Sequence, residues 1–274
     1  MKTRRLLPGF RLSLGVTLLY LSLMVVLPLV ALSFHAAGLG WEGFWAAVFS
    51  PQAVASYGVT LSHALGAALI NLLFGSLLAW VLVRYTFPGK ALLDMFIDLP
   101  FALPSAVGGI ALAAVFANTG WIGGILEPLG IKIAYSEAGI TVAMVFVSLP
   151  FVVRTLQPVL ENLDPATEEA ASLLGASKWQ TFLKVILPAI FPAALTGFTL
   201  ALSRGLGEYG TAIFITSNIP LKSEMATRYI YNKLDQYEIP AATAAAVVML
   251  FLSLVLLLGL NALQAFQRRR EGRS

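Results

Sequence analysis

Asp164-Pro165-Ala166-Thr167-Glu168-Glu169-Ala170-Ala171-Ser172-Leu173-Leu174-Gly175-Ala176-Ser177-Lys178-Trp179-Gln180 is a polar stretch set between long apolar ones. Its local chemistry predicts two short helices with a bend between them. Asp164 is a good N-cap, and Pro165 suits the first helical position, where its missing N–H would have no partner anyway. Glu168 and Glu169 then fall in or near the first turn, where the helix dipole favours negative charge. Gly175 can take the left-handed conformation that ends a helix. Ser177 and Gln180 have the spacing of a capping box, so a second helix starts at once. The whole elbow covers about residues 164–187, up to Leu187-Pro188.

What surrounds the elbow decides the class. Of 274 residues 58% are hydrophobic and only 12% are charged, and the mean hydropathy is +0.82. A soluble domain carries about a quarter charged residues, so this composition cannot cover a water-facing particle and predicts an all-α integral membrane protein. The net charge of +4 raises nucleic-acid binding, but the basic residues are split among loops and tails instead of gathered on one face. With no cysteine, disulfides and thiolate metal sites are excluded. His35 and His63 are too few and too far apart in sequence for a metal cluster, so no metal site is expected.

Apolar runs divide the chain into six spans, at about 12–34, 57–83, 92–116, 138–153, 188–216 and 241–266. The basic flank of the first resembles a signal peptide, but the run behind it is long enough to span a bilayer core, and it reads as a retained span. Trp41, Trp45 and Tyr57 suit a membrane–water boundary. In the second span Gly66, Ala67, Ala68, Gly75 and Ala79 permit close helix approach, and Asn71 needs a partner inside the bundle. The third opens with Asp94 and Asp98 and holds Pro100, Pro104, Gly108 and Gly109, a density of prolines that breaks or kinks a helix. Either the break serves packing, or it lines a water-filled path. Arg204 and Glu208 fall in the fifth span, four residues apart and able to pair. The segment 223–238 predicts a short surface helix with Tyr229, Tyr231 and Tyr237 at the interface.

Six spans put both termini on one side of the membrane. Of the 18 Lys and Arg residues, only Lys132, Lys222, Arg228 and Lys233 fall on the opposite side and Arg204 within a span. The positive-inside rule therefore assigns both termini and the elbow to the cytoplasm. No internal repeat is visible, and residues 1–274 read as one membrane domain. The chain has no G-x-x-x-x-G-K-[ST] loop; Gly89-Lys90 lacks both the upstream glycine and the following Ser or Thr. Nor does it have a G-x-S-x-G elbow or a histidine placed beside a nucleophile. No catalytic residue and no cofactor in this chain are expected.

The central stretch resembles the EAA motif of ABC importer permeases, E-A-A, three residues, G, nine residues, I-x-L-P. Glu169, Ala170, Ala171, Gly175, Leu187 and Pro188 match in register, and Val185 stands where the family usually has Ile. Further stretches resemble the T-type permeases of bacterial sulfate/thiosulfate ABC importers: Arg5–Phe10, Asp98–Pro104, Phe151–Glu161, Ser203–Gly210 and the region Leu234–Tyr237. Gly205 and Tyr209 depart mildly from that pattern, where Ser and Phe are usual. The molybdate/tungstate permeases carry similar stretches and remain an alternative, as does a stand-alone membrane channel or scaffold on composition alone.

The resemblance implies a multi-pass protein of the bacterial inner membrane that imports sulfate and thiosulfate. It implies a second, W-type permease, two ATP-binding subunits that hold ATP and Mg, and an extracytoplasmic sulfate-binding protein. The expected ATPase-coupling residues are Glu168, Glu169, Ala170, Ala171, Gly175 and Pro188. Arg204, Glu208, Ser105 and Gly108 are candidates for the anion pathway.

Overall fold

Helix α3, Pro51–Arg84, is the axis about which the other elements are arranged. It starts at Ser50, whose side chain accepts a hydrogen bond from the Ala53 N–H, with Pro51 at the first helical position. The computed structural model describes residues 9–271, and every regular element among them is helical.

Ahead of α3, the first rod, α1, runs Phe10–Leu21, then a π turn at Ser22–Val26, then Leu27–Ala37. A short helix α2, Gly40–Val48, follows and carries Trp41 and Trp45 edge to face at 5.4 Å. Beyond α3 the expected third span is two half-helices, α4 (Lys90–Ala102) and α5 (Ser105–Phe116). Pro104 makes the break. It forces Leu103 into an extended conformation (φ −84°, ψ 135°), while Pro100 is accommodated inside α4. Next come α6 (Ala138–Glu161), the elbow helix α7 (Pro165–Leu173), and α8.

The last of these is longer than expected. Lys178–Thr181, a π turn at Phe182–Ile186 and Leu187–Leu206 form one helix, so the second limb of the elbow is not a separate short helix but the start of the fifth span. Pro188 lacks the N–H that would continue an α-helical ladder, and the π turn immediately before it takes up the register; Pro28 behind the π turn of α1 repeats the device. At its other end α8 stops at Leu206, not near residue 216, and a one-turn helix α9, Ala212–Ile215, follows. Helix α10 (Ala226–Asp235) and the long α11 (Ile239–Glu271) complete the chain.

Among the described residues, five rods are long and apolar enough to cross a membrane: Leu12–Ala37, Pro51–Arg84, Ala138–Glu161, Lys178–Leu206 and Ile239–Ala265. The core lies where α3, α6 and α8 meet, and small residues set the approach. A Cβ on Gly75 of α3 would lie 3.1 Å from Val152 Cβ on α6, and one on Gly197 of α8 would lie 3.0 Å from Val152 Cα. Ala64, Ala67, Ala68, Ala143, Val152, Leu156, Ala201 and Leu202 fill the seams. The Asn71 amide nitrogen finds partners inside the bundle, donating to Val145 O at 3.0 Å and Ser148 Oγ at 2.8 Å. Of the four tyrosines expected at an interface, Tyr57 and Tyr229 are instead buried together against Ala53, Ala245 and Met249; Tyr231 and Tyr237 are exposed.

Candidate coupling and translocation site

The elbow is built as its caps dictate. Asp164 accepts from the Ala166 N–H at 2.9 Å, and the capping box is complete: the Gln180 N–H donates to Ser177 Oγ and the Ser177 N–H donates to Gln180 Oε1 at 2.8 Å. Between them Gly175 has φ +83°, a conformation that a side chain with a Cβ resists. Helix α7 buries none of its residues. Leu173 and Leu174 are each 89% exposed and Trp179 is exposed beside them, so the elbow tip offers an apolar face to its surroundings. Glu169, Ala170 and Pro188 are exposed, and Ala171 is half-buried.

The two adjacent glutamates of the elbow differ in their surroundings. Glu169 is open, whereas Glu168 accepts from Arg84 Nη2 at the end of α3. The Arg84 guanidinium in turn lies 5.0 Å over the Trp80 ring. Trp80 meets Phe182 edge to face at 5.9 Å, and Phe182 stacks on Trp179 at 5.6 Å.

A second constellation joins α4 to α6. Arg154 grips Asp98 with two parallel bonds, Nε to Oδ1 at 2.9 Å and Nη2 to Oδ2 at 2.6 Å. Its Nη1 reaches Asp94 Oδ1 at 2.7 Å and Gln157 Oε1 at 2.6 Å. This planar fork uses the geometry in which guanidinium excels. Ile97 is the one buried residue of α4 and Leu93 packs beside it on the core, so the fork and the edge-to-face pair Phe101–Phe151 at 5.2 Å add to a small apolar contact.

The four pathway candidates converge on the segment after α8. Arg204 lies in the last turn of that helix, not at mid-span, where a cation also complements the helix dipole. Its Nη1 pairs with Glu208 Oε2 at 2.7 Å, as the four-residue spacing predicted; the arginine side chain is 33% exposed and the carboxylate 1%. Glu208 does a second thing that the spacing did not show: its Oε1 accepts from the Thr211 N–H at 2.6 Å. Against this bend sits α5. A Cβ on Gly109 would lie 2.4 Å from Thr211 O, and one on Gly210 would lie 2.7 Å from Ser105 Cβ. Gly108 faces Phe146 and Thr211 Cγ2. Among the described residues, Thr211 Oγ1 and Thr216 Oγ1 are buried and meet no hydrogen-bond partner. On the other flank Thr227 Oγ1 donates to Glu208 O at 3.0 Å, and Tyr209 stacks on Tyr231. Lys233 of α10 donates to Glu238 at 2.8 Å, and that carboxylate holds its ammonium above the ordinary lysine value.

Long apolar rods, a span broken against a glycine-lined bend and an exposed, doubly capped elbow define a multi-helix transport protein of the membrane. Residues 71–272 match the family described as "Binding-protein-dependent transport system inner membrane component". The chain belongs to that family; it is a multi-pass inner-membrane transport component and not an enzyme. It is 50% identical over 271 residues to "Sulfate transport system permease protein CysT" of Escherichia coli (strain K12), covering 98% of each chain. It is also 51% identical over 254 residues to the protein of the same name from Synechocystis sp., covering 93% of this chain and 89% of that one. Among solved structures, a bacterial alginate ABC transporter in complex with its alginate-bound periplasmic protein matches 92% of both chains with a TM-score of 0.75 at 19% identity, a likeness of fold.

Proposed function

We propose that this chain is the permease subunit of an ATP-driven importer that carries sulfate and thiosulfate inward. Half-identity over nearly the full length to permeases named for sulfate transport carries the substrate class. The energy source lies on another protein, because the chain has no phosphate-binding loop. Two ATP-binding subunits, a W-type permease and an extracytoplasmic sulfate-binding protein complete the assembly, with ATP and Mg held by the ATP-binding pair. Residues 1–274 form one transmembrane domain of six spans, the third being the broken pair α4–α5, and both termini and the elbow are cytoplasmic. The distribution of Lys and Arg supports that orientation.

In this reading the exposed elbow seats in the ATPase. Ala170 and Ala171 are small enough for close approach, Gly175 sets the bend, Pro188 follows the π turn that carries the second limb on into the span, and Glu169 is free to meet the partner. Closure of the ATPase pair on ATP then moves the spans. The anion passes the bend after α8, where Arg204 supplies positive charge, Glu208 holds and releases it, and Ser105, the Gly108 backbone and the buried Thr211 hydroxyl supply neutral contacts. A dianion held by few charges can also leave, which transport requires.

The elbow assignment is tested by replacing Gly175 with Val and Ala171 with Trp. Both variants should insert in the membrane yet lose ATPase association or uptake, since a β-branched residue resists φ +83° and an indole blocks seating. Normal uptake by both variants would remove the assignment.

A further inference from the structure

The elbow helix α7 has no buried residue. Among the described residues, its one ion pair with a membrane-spanning helix is Glu168 with Arg84. Both side chains are shielded, 28% and 26% exposed, while the neighbouring Glu169 is open. Arg84 Nε is buried and has no hydrogen-bond partner among the described residues. The guanidinium is therefore held by the Trp80 face and the Glu168 carboxylate together. One helical turn separates Trp80 from Arg84, and the second limb of the elbow meets that same turn through Phe182, which stacks on Trp179. The two limbs thus grip one turn of α3 from both sides of the Gly175 bend.

What that turn is connected to gives the grip its meaning. Helix α3 runs unbroken for 34 residues, about 50 Å at the helical rise. At its far end Gln52 Nε2 donates to the buried carboxylate of Glu224 at 2.7 Å, and Thr60 Oγ1 accepts from the Ala226 N–H at 2.8 Å. Midway, Ala64 is 3.4 Å from where a Cβ on Gly205 would stand, beside Arg204. A displacement of the Arg84 end therefore reaches both the bend after α8 and the start of α10 through one rod.

We propose that Glu168, Arg84 and Trp80 form a coupling strut: Glu168 transmits elbow motion to α3, and only Glu169 of the glutamate pair is left to face the ATPase. The strut rests on the coupling reading of the elbow, and it makes Glu168 and Arg84 positioning residues without contact to nucleotide or anion. It stays closed throughout the cycle, unlike a latch that must open.

The test uses the complete complex in proteoliposomes with its binding protein, and compares Glu168→Gln, Arg84→Gln and the exchange Arg84→Glu with Glu168→Arg. Three quantities are read: ATPase retained on co-purification, sulfate-stimulated ATP hydrolysis, and sulfate accumulated per ATP. The single variants should retain the ATPase but accumulate about tenfold less sulfate per ATP, within the usual span of coupling effects, and the exchange should recover most of it. Because the chain has no cysteine, a cysteine pair at positions 84 and 168 can also be joined by a bifunctional maleimide. The joined protein should transport as well as the unaltered one. Unchanged sulfate per ATP in both single variants, or arrest by the cross-link, overturns the strut while leaving the elbow assignment standing. Loss of the ATPase from Glu168→Gln overturns it too, by making Glu168 a docking contact. If the unaltered chain retains no ATPase, the coupling reading itself falls, and the strut with it.

Discussion

Replacing Gly109 by Ala tests the geometry of the bend directly. The new Cβ would stand 2.4 Å from Thr211 O and 3.0 Å from Thr211 C and Cα, all backbone atoms with no rotamer to swing away. Restoring ordinary contact requires the two backbones to part by about 1 Å, and overpacking of this kind costs roughly 1–3 kcal/mol. Thr211 is also the residue whose N–H donates to Glu208 at 2.6 Å. Moving it weakens a charge-assisted bond of about 1.5–3 kcal/mol. Against these stands the helix preference of Ala over Gly, about 0.5–1 kcal/mol. A net loss of roughly 2 kcal/mol is expected, near a thirtyfold change in the folded-to-unfolded ratio. Gly207→Ala is the control: nothing lies within 4 Å of its Cβ, and its φ of −91° suits any residue, so its effect should stay within about 0.5 kcal/mol. Thermal unfolding in detergent and sulfate uptake would be measured for both. Equal melting of Gly109→Ala and the unaltered protein, or equal loss in the two variants, would refute the packing of α5 on the bend.

Three further outcomes are expected. Arg204→Met strands the buried Glu208 carboxylate and should destabilise by about 2 kcal/mol, the full cost of a broken buried pair being reduced because the arginine is partly exposed. Adding Glu208→Gln keeps an acceptor for the Thr211 N–H and should restore melting but not uptake; full uptake by that double variant would end the pathway role of Arg204. Arg154→Lys should loosen α4 nearly as much as Arg154→Met, by about 1–2 kcal/mol after allowance for solvent, because a lysine cannot reproduce the two-bond grip on Asp98. Proteolysis of α4 in the two variants checks this, and full rescue by lysine would contradict it. The raised lysine value of Lys233 makes its pair with Glu238 fully effective below the ordinary lysine value and lost as pH rises through the raised one. Amide protection over Ala226–Asp235 should fall in that alkaline window in the unaltered protein, and Lys233→Met should abolish the transition.

Local signals were legible in the sequence, and long-range ones were not. Asp164, Gly175, Ser177 and Gln180 act within three residues of their targets, so the caps of the elbow could be read directly. Asn71 announced a buried partner by its chemistry, although which partner was not determined. The proline-rich stretch foretold the α4–α5 break because the restriction on Leu103 is purely local. By contrast, Pro188 suggested a helix start, and the π turn that carries α8 past it leaves no mark in hydropathy. Apolar residues continue to Thr216, which placed Arg204 at mid-span; the helix stops at Leu206 where Glu208 turns to cap Thr211 and α5 packs against the bend. The Arg84–Glu168 pair joins residues 84 apart, and the Arg154–Asp98 fork joins residues 56 apart. No periodicity encodes such a meeting.

The measurement that bears most directly on the function is ATP hydrolysis by the reconstituted complex, with its binding protein, as the anion is varied. Sulfate and thiosulfate should each stimulate hydrolysis and accumulate in the vesicles, while molybdate and tungstate should not. Stimulation by molybdate alone would move the chain to the other oxyanion class, and failure to retain an ATPase under any anion would contradict the importer account itself.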